Sequence, residues 1–214
     1  MTEKDPATGA RPAEARTSAR RSSARSAWLA AGIAAAATTG LAAERAIDKQ
    51  VVVAAPIESV WQAWTTRAGI QSFFAPEAEI DARVGGAFHI HINPFAEPGM
   101  KGADDMRFMA LQRPTMLSFD WNAPPSLAEI RAQRTFVIVR LAPLDATSTR
   151  VTLHHTGWGD GGQWDQTYAY FDRAWGNVLG NLKTSFEKGP IDWTDWLARL
   201  QASAAPASAA SASR

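Results

Sequence analysis

Two of the four histidines stand side by side, His154 and His155, in the stretch TRVTLHHT. Alternation puts Val151, Leu153 and His155 on one side of a strand and Thr152, His154 and Thr156 on the other, so the spacing predicts an inward imidazole at His155. A desolvated imidazole is expected to be neutral at pH 7, able to hydrogen-bond a ligand or to take a proton. Two other alternating stretches carry Phe88 and Ile90 (FHIH) and Phe119 and Trp121 (LSFDW), and a later amphipathic run brings Tyr168 and Trp175. These seven residues are the candidate wall of a site for a small hydrophobic or aromatic molecule, with His155 and Tyr168 as the polar groups that orient it. Trp121 and Trp175 are expected to face each other across it. An enzyme of the cyclase or hydrolase kind on the same residues would use His155 as general base and Tyr168 as donor to a developing oxyanion.

Other chemistries find less support. His89 and His91 share a strand face opposite Phe88, Ile90 and Ile92, which places them toward solvent, and an i,i+2 pair without a third ligand is a weak metal signal. The turn GWGDGGQW (Gly157 to Trp164) lacks both the Lys-Ser/Thr ending of a phosphate loop and the spacing of a dinucleotide fingerprint. Asp160 and Asp165 beside the following helix start would repel an anion, so the turn reads as a flexible connection. There is no G-x-S-x-G, and the pairs Asp104-Asp105 and Asp192/Asp195 lie in polar segments expected to be solvated. Without cysteine, disulfides, thiolate metal sites and a Cys nucleophile are excluded. No cofactor is implied.

The elements that must position these residues follow from local pattern. IDKQVVV, from Ile47, is a β-branched strand, and Pro56 suits the first turn of a helix over Pro56 to Thr66. A short helical piece follows at Ala68 to Phe74. Strands are then expected at Glu77 to Ala82, Ala87 to Ile92, Met106 to Gln112, Thr115 to Asn122, Arg134 to Leu141 and Thr149 to Thr156. The chain next enters a helix of about 26 residues, closed by Gly189 and Pro190. Trp164, Tyr168, Phe171, Trp175, Val178, Leu182 and Phe186 fall on one face of it. Successive strands between two helical regions imply an α+β arrangement, an antiparallel sheet with helices on one face.

VVVAAPIESVWQAWTT, the glycine pair and strand VGGAFHI, the turn and strand RPTMLSFDW, TRVTLHHTGW and the closing YFDRAWGNVLGNLKTSFEKG resemble the SRPBCC (START/Bet v 1-like) superfamily. Within it they resemble the branch related to the C-terminal domain of the activator of Hsp90 ATPase, over residues 47 to 190. The resemblance implies a helix-grip fold, a curved antiparallel sheet of seven strands wrapped around a long C-terminal helix and enclosing an apolar cavity. It places the Gly157 to Trp164 turn near the mouth of that cavity. The superfamily includes lipid carriers, polyketide cyclases and aromatases, so the implied partner is a small hydrophobic or aromatic molecule. A protein-interaction module analogous to the Hsp90 activator is the further alternative, and it predicts a filled core with an exposed apolar patch.

The ends of the chain read differently. Five arginines between Arg11 and Arg25 precede AWLAAGIAAAATTGLAA, an uncharged run ending in small residues, so residues 1–43 are expected to be an export signal of the Sec or Tat type. At 17 residues, mostly alanine, the run is short against the roughly 20 that span a bilayer. Residues 44–200 form the expected domain, exported to the periplasm or secreted, with no stable membrane span after cleavage. Cleavage removes six basic and three acidic side chains and leaves a net charge near −2, so no basic face remains to argue for nucleic acid. Residues 201–214, QASAAPASAASASR, read as a disordered Ala/Ser-rich tail.

Overall fold

The β-branched stretch IDKQVVV forms β1 (Ile47–Val53), and Pro56, at φ −58°, opens α1 (Ile57–Thr65). The computed structural model describes residues 44–204, so the expected export signal and all but the first four residues of the expected tail lie outside the described residues. Thr66 ends α1 and caps α2 (Arg67–Phe73), its hydroxyl accepting from the Gly69 N–H. Seven further strands follow: β2 (Glu77–Ile80), β3 (Phe88–His91), β4 (Gly102–Ala103), β5 (Phe108–Gln112), β6 (Met116–Trp121), β7 (Thr135–Pro143) and β8 (Thr149–Thr156). The long helix is α3 (Gly162–Lys188), stopped at Gly189, and α4 (Thr194–Ala204) comes last.

The architecture is the expected α+β one, a curved antiparallel sheet gripping the long helix. Five strands run in the order β1-β8-β7-β6-β5, and β2-β3-β4 make a second small sheet. One antiparallel bridge, Ala87 to Arg107, links the two, flanked by Phe88 N–H to Met106 C=O at 2.8 Å and Gly85 N–H to Phe108 C=O at 2.8 Å. Two elements depart from the sequence reading. Strand β4 is two residues long and too short to show a period. Helix α4 lies beyond the Gly189-Pro190 stop and runs to Ala204, four residues into the stretch read as tail. It is anchored by indole N–H groups, Trp193 donating to Gln71 C=O at 2.6 Å and Trp196 to Ile92 C=O at 2.9 Å.

Alternation fixes which side chains enter the core. Leu117, Phe119 and Trp121 from β6 meet Val137, Val139 and Leu141 from β7, and Val151, Leu153 and His155 from β8, all buried. Phe171, Trp175, Leu179 and Leu182 cover them from α3. The deepest line of α3 is therefore rotated slightly from the expected one, since Tyr168, Val178 and Phe186 are half-buried flanks and Leu179 takes the centre.

The space between sheet and helix, expected as a cavity, is filled by interlocked aromatic rings. Phe88 stacks on Phe119 at 4.1 Å between centroids, Trp64 on Phe119 at 6.5 Å, and Phe119 meets Trp121 edge-on at 5.5 Å. Trp121 and Trp175 do come together, 5.3 Å apart, but as packed rings. Each such side chain contributes roughly 1.5 to 3 kcal/mol by leaving water, and edge-to-face pairs add a little more.

Candidate functional site

His155 arrives on the inner side of β8 as the alternation requires, 0% exposed. Its Nδ1 accepts from Trp175 Nε1–H on α3 at 2.8 Å. An indole nitrogen only donates, so Nδ1 bears the lone pair and the neutral ring holds its proton on Nε2. That N–H donates to Thr135 Oγ1 at 2.7 Å, and Thr135 donates to the Trp121 carbonyl at 3.3 Å. Burial, with a smaller contribution from neighbouring His154, pushes the His155 pKa down to about 3. Protonating Nδ1 would also set it against the Trp175 N–H. The expected neutral imidazole is therefore present, but its lone pair is occupied and no solvent reaches it, which removes the arrangement a general base needs. Tyr168 is engaged as well, its hydroxyl donating to Ala46 C=O at 2.8 Å beneath the Arg45 guanidinium, 4.2 Å from the ring centre.

The open space lies at one end of this filled interior. A cleft of about 360 Å³ is bounded by Trp121 and Phe171, by Tyr170 beside them on α3, by Met100 in the β3–β4 connection, and by Asn122 and Pro124 in the β6–β7 connection. Ile92, Met100 and Tyr170 leave apolar surface exposed in it, and Phe95, in the same β3–β4 connection as Met100, is exposed as well. Asn122 is one of the polar side chains of the lining, with Asn93, Lys101 and Ser126. It is only 6% exposed, yet no hydrogen bond joins its side chain to another described residue. It also borders a second, polar cleft of about 330 Å³ shared with Asp104, Arg131 and Arg134. The Trp121 indole N–H is buried without an acceptor too, among aromatic rings whose faces are weak acceptors.

Arg131 ties two walls of the cleft to each other. From the β6–β7 connection its guanidinium donates to Gly99 C=O at 2.6 Å and Gly102 C=O at 2.8 Å, across in the β3–β4 connection, and to Ala123 C=O on its own side. Asp104 Oδ2 lies 3.4 Å away and accepts from the Gly102 N–H at 3.0 Å. Burial lowers the Arg131 pKa below the usual arginine value, opposed by Asp104 and reinforced by Arg134. The planar fork of arginine suits three carbonyls at once, which lysine cannot match. Asp104, expected in solvent, is thus a largely buried structural partner with a side chain 12% exposed.

Comparison with known proteins agrees with this architecture. The model of the family described as activator of Hsp90 ATPase homolog 1-like protein matches residues 54–187. The chain belongs to this family. Its fold is similar to that of MLL2253 from Mesorhizobium loti, at 18% identity and a TM-score of 0.54, covering 69% of this chain and 100% of that one. It is similar to Aha1 from Colwellia psychrerythraea, solved as a dimer, at 19% identity and 0.53 over 68% and 98% of the two chains. CalU16 from Micromonospora echinospora aligns at 20% identity and 0.51 over 74% and 83%. No curated protein sequence matches the chain.

In this member of the family, one of the seven expected site residues lines the cleft, Trp121. Phe88, Ile90, Phe119, His155 and Trp175 sit in the filled core, and Tyr168 is held against the backbone before β1. The alternation that selected them reports which side of a strand faces inward, not whether the interior is empty. Asn122, Phe171 and Arg131 were not selected. The available signal was the length of the connection from Asn122 to Arg134, well beyond the roughly two to five residues of a hairpin loop and typical of functional segments.

The remaining candidates are structural. Gly161, at φ 72°, caps α3, and Gly159 admits the Trp164 ring, which a Cβ there would meet at 2.4 Å. Asp165 pairs with Arg45 at 2.6 Å, so the acidic helix start serves a fold contact. His89 and His91 lie on the outer face of β3 as expected, but they are sheltered rather than solvated, with side chains 18% and 14% exposed. Each pairs with the glutamate directly across on β2, Glu79 at 3.2 Å and Glu77 at 3.4 Å, because the antiparallel register sets them opposite. Among the described residues no group of three or more His, Asp or Glu is placed to hold a metal, and no helix is long and apolar enough to cross a membrane.

Proposed function

We propose that the protein is an exported small-molecule-binding domain of the SRPBCC type, which holds an apolar or aromatic ligand in the cleft beside Tyr170 and Phe171 of α3. One observation carries the reading. The cleft joins stacking surfaces, Trp121 and Phe171, to a nearly buried amide, Asn122, that has no hydrogen-bond partner among the described residues. Its volume falls within the range of small-ligand sites, roughly 300 to 1,000 Å³. No cofactor enters this reading. Native mass spectrometry of the protein purified from its own host tests it, the expected result being a bound species of small-molecule mass that is lost from Trp121→Ala. Export is tested by N-terminal sequencing of periplasmic or secreted material, which should begin near residue 43 or 44. An intact Met1 on soluble cytoplasmic protein would count against it.

The exposed side chains of Ile92, Phe95, Met100 and Tyr170 favour a second reading, in which the same rim docks an apolar segment of a partner protein. The same measurement separates the two, since the retained species would then be a polypeptide. A catalytic version built on His155 has the least support, because both ring nitrogens are bonded inside the core.

A further inference from the structure

Asn122 is a nearly buried amide that borders the cleft and has no side-chain hydrogen bond to another described residue. Most interior polar groups are paired: His155 with Trp175 and Thr135, Thr149 with Ala55 C=O at 2.8 Å, Thr135 with Trp121 C=O. Those without a partner, Trp64 Nε1, Trp121 Nε1 and Thr167 Oγ1 among them, are sealed from the cleft's solvent, whereas the Asn122 amide borders it. That amide, which solvent in the cleft still reaches, is open to a ligand that replaces that solvent and completes its hydrogen bonds. The geometry points to a ligand for the Trp121–Phe171 cleft that is a planar, largely apolar ring system with a hydrogen-bond donor and acceptor adjacent on one edge, as in a lactam, and that pairs with the Asn122 side chain. This deepens the small-molecule reading and rests on it.

The argument has three parts. First, an amide offers N–H and C=O side by side, so a ligand with only an acceptor or only a donor covers Asn122 while pairing half of it. An adjacent donor and acceptor satisfies both in one ring of two hydrogen bonds. Second, the surfaces beside Asn122 are flat and apolar, Trp121, Phe171, Tyr170, Pro124 and Pro125, which favours a planar body. Third, the position of the amide is fixed from both sides. Trp121 is locked into the aromatic core, and the Ala123 carbonyl is held by Arg131, which also fastens the opposite wall at Gly99 and Gly102. A held backbone on both sides fixes where the Asn122 side chain starts, which favours ligands that meet the amide there. The cleft also holds Lys101, so an anionic ligand is the competing chemistry.

The test uses purified full-length protein and three planar probes of similar size: phenanthridinone, a tricyclic lactam; phenanthrene, its hydrocarbon counterpart; and phenanthrene-9-carboxylate. Titrations are followed by tryptophan fluorescence and by the Asn122 side-chain NH₂ resonances in ¹⁵N-labelled protein. The lactam is expected to bind about tenfold more tightly than phenanthrene, a difference of roughly 1.4 kcal/mol, and to shift the Asn122 NH₂ signals. In Asn122→Leu the preference should collapse to within about twofold, while phenanthrene affinity is retained. Asn122→Asp, which keeps the size and loses the donor, should also lose the preference if Asn122→Leu fails to fold. Equal binding of lactam and hydrocarbon with unmoved Asn122 signals would overturn the inference while leaving the small-molecule reading intact. A tenfold advantage for the carboxylate, abolished by Lys101→Met, would overturn it in favour of Lys101 as anchor. Binding of none of the three would sink the cleft reading and this inference with it.

Discussion

The interior beneath α3 and the cleft beside Tyr170 and Phe171 are built from the same kinds of residue and behave in opposite ways. In the interior, rings fill the volume and the main polar chain is closed, running from Trp175 N–H to His155, to Thr135, to the Trp121 carbonyl. In the cleft, the next residue along, Asn122, has no such partner, and apolar surface is left exposed around it. The boundary between the two is made by Trp121 and Phe171, each packed against Trp175 and lining the cleft. Polar groups that stabilise a fold are finished by the fold itself, whereas one left unfinished beside open space points outward to a ligand.

If that contrast holds, substitutions in the two regions should separate in stability. The largest effect is expected for Trp175→Ala, about 3 to 5 kcal/mol by loss of ring volume, measured by urea denaturation. Trp175→Phe keeps most of the volume and isolates the hydrogen bond to His155 Nδ1, at about 1 to 3 kcal/mol. A cost near zero would mean that the interior chain contributes little.

Acid should expose the interior next. His155 has a folded pKa of about 3 against an ordinary value of about 6.5, so between those limits the unfolded chain binds more protons than the folded one. Its contribution is fully present above about pH 6.5 and is lost as pH falls toward 3, amounting to about 2 kcal/mol between pH 7 and pH 5. Denaturation at the two pH values should show this loss, with a smaller slope in His155→Gln.

A matched pair sharpens the comparison further. Thr135→Val strands the His155 Nε2–H and should cost about 1 to 3 kcal/mol, whereas Asn122→Leu should stay within about 1 kcal/mol of the parent and in either direction. If Asn122→Leu proves as damaging as Thr135→Val, Asn122 is a structural group and the distinction fails. The smallest effects belong to the rim. Phe95→Ser and Met100→Ser should change stability by no more than about 0.5 kcal/mol, while lowering retention of whatever co-purifies.

Much of the fold was legible because it is written in short periods. Alternation in TRVTLHHT and LSFDW, the helical spacing from Tyr168 to Leu182 and the Gly189 stop each depend on neighbours a few residues apart. Strand β4 has too few residues to show any period. The end of α4 was read as tail because alanine and serine carry no apolar stripe, although α4 is held by Trp193 and Trp196, each bonded to a backbone carbonyl more than a hundred positions earlier. The site was less legible still. Phe171 sat on the expected helix face, but nothing local distinguished it from its neighbours, and Asn122 stood as the last residue of an expected strand with nothing to mark its side chain.

The sequence by itself determined that His155 points inward, that the strands and long helix present one apolar side each, and that the chain carries the pattern of its family. Those properties follow from backbone geometry, which repeats every two residues in a strand and every 3.6 in a helix. Only the tertiary structure decided that the enclosed volume is filled, that the His155 lone pair belongs to Trp175, 20 positions away, and that Arg131 fastens Gly99, 32 positions away, to leave a cleft beside Asn122. Packing volume and hydrogen-bond pairing are set by which distant side chains meet, and no local period carries that information.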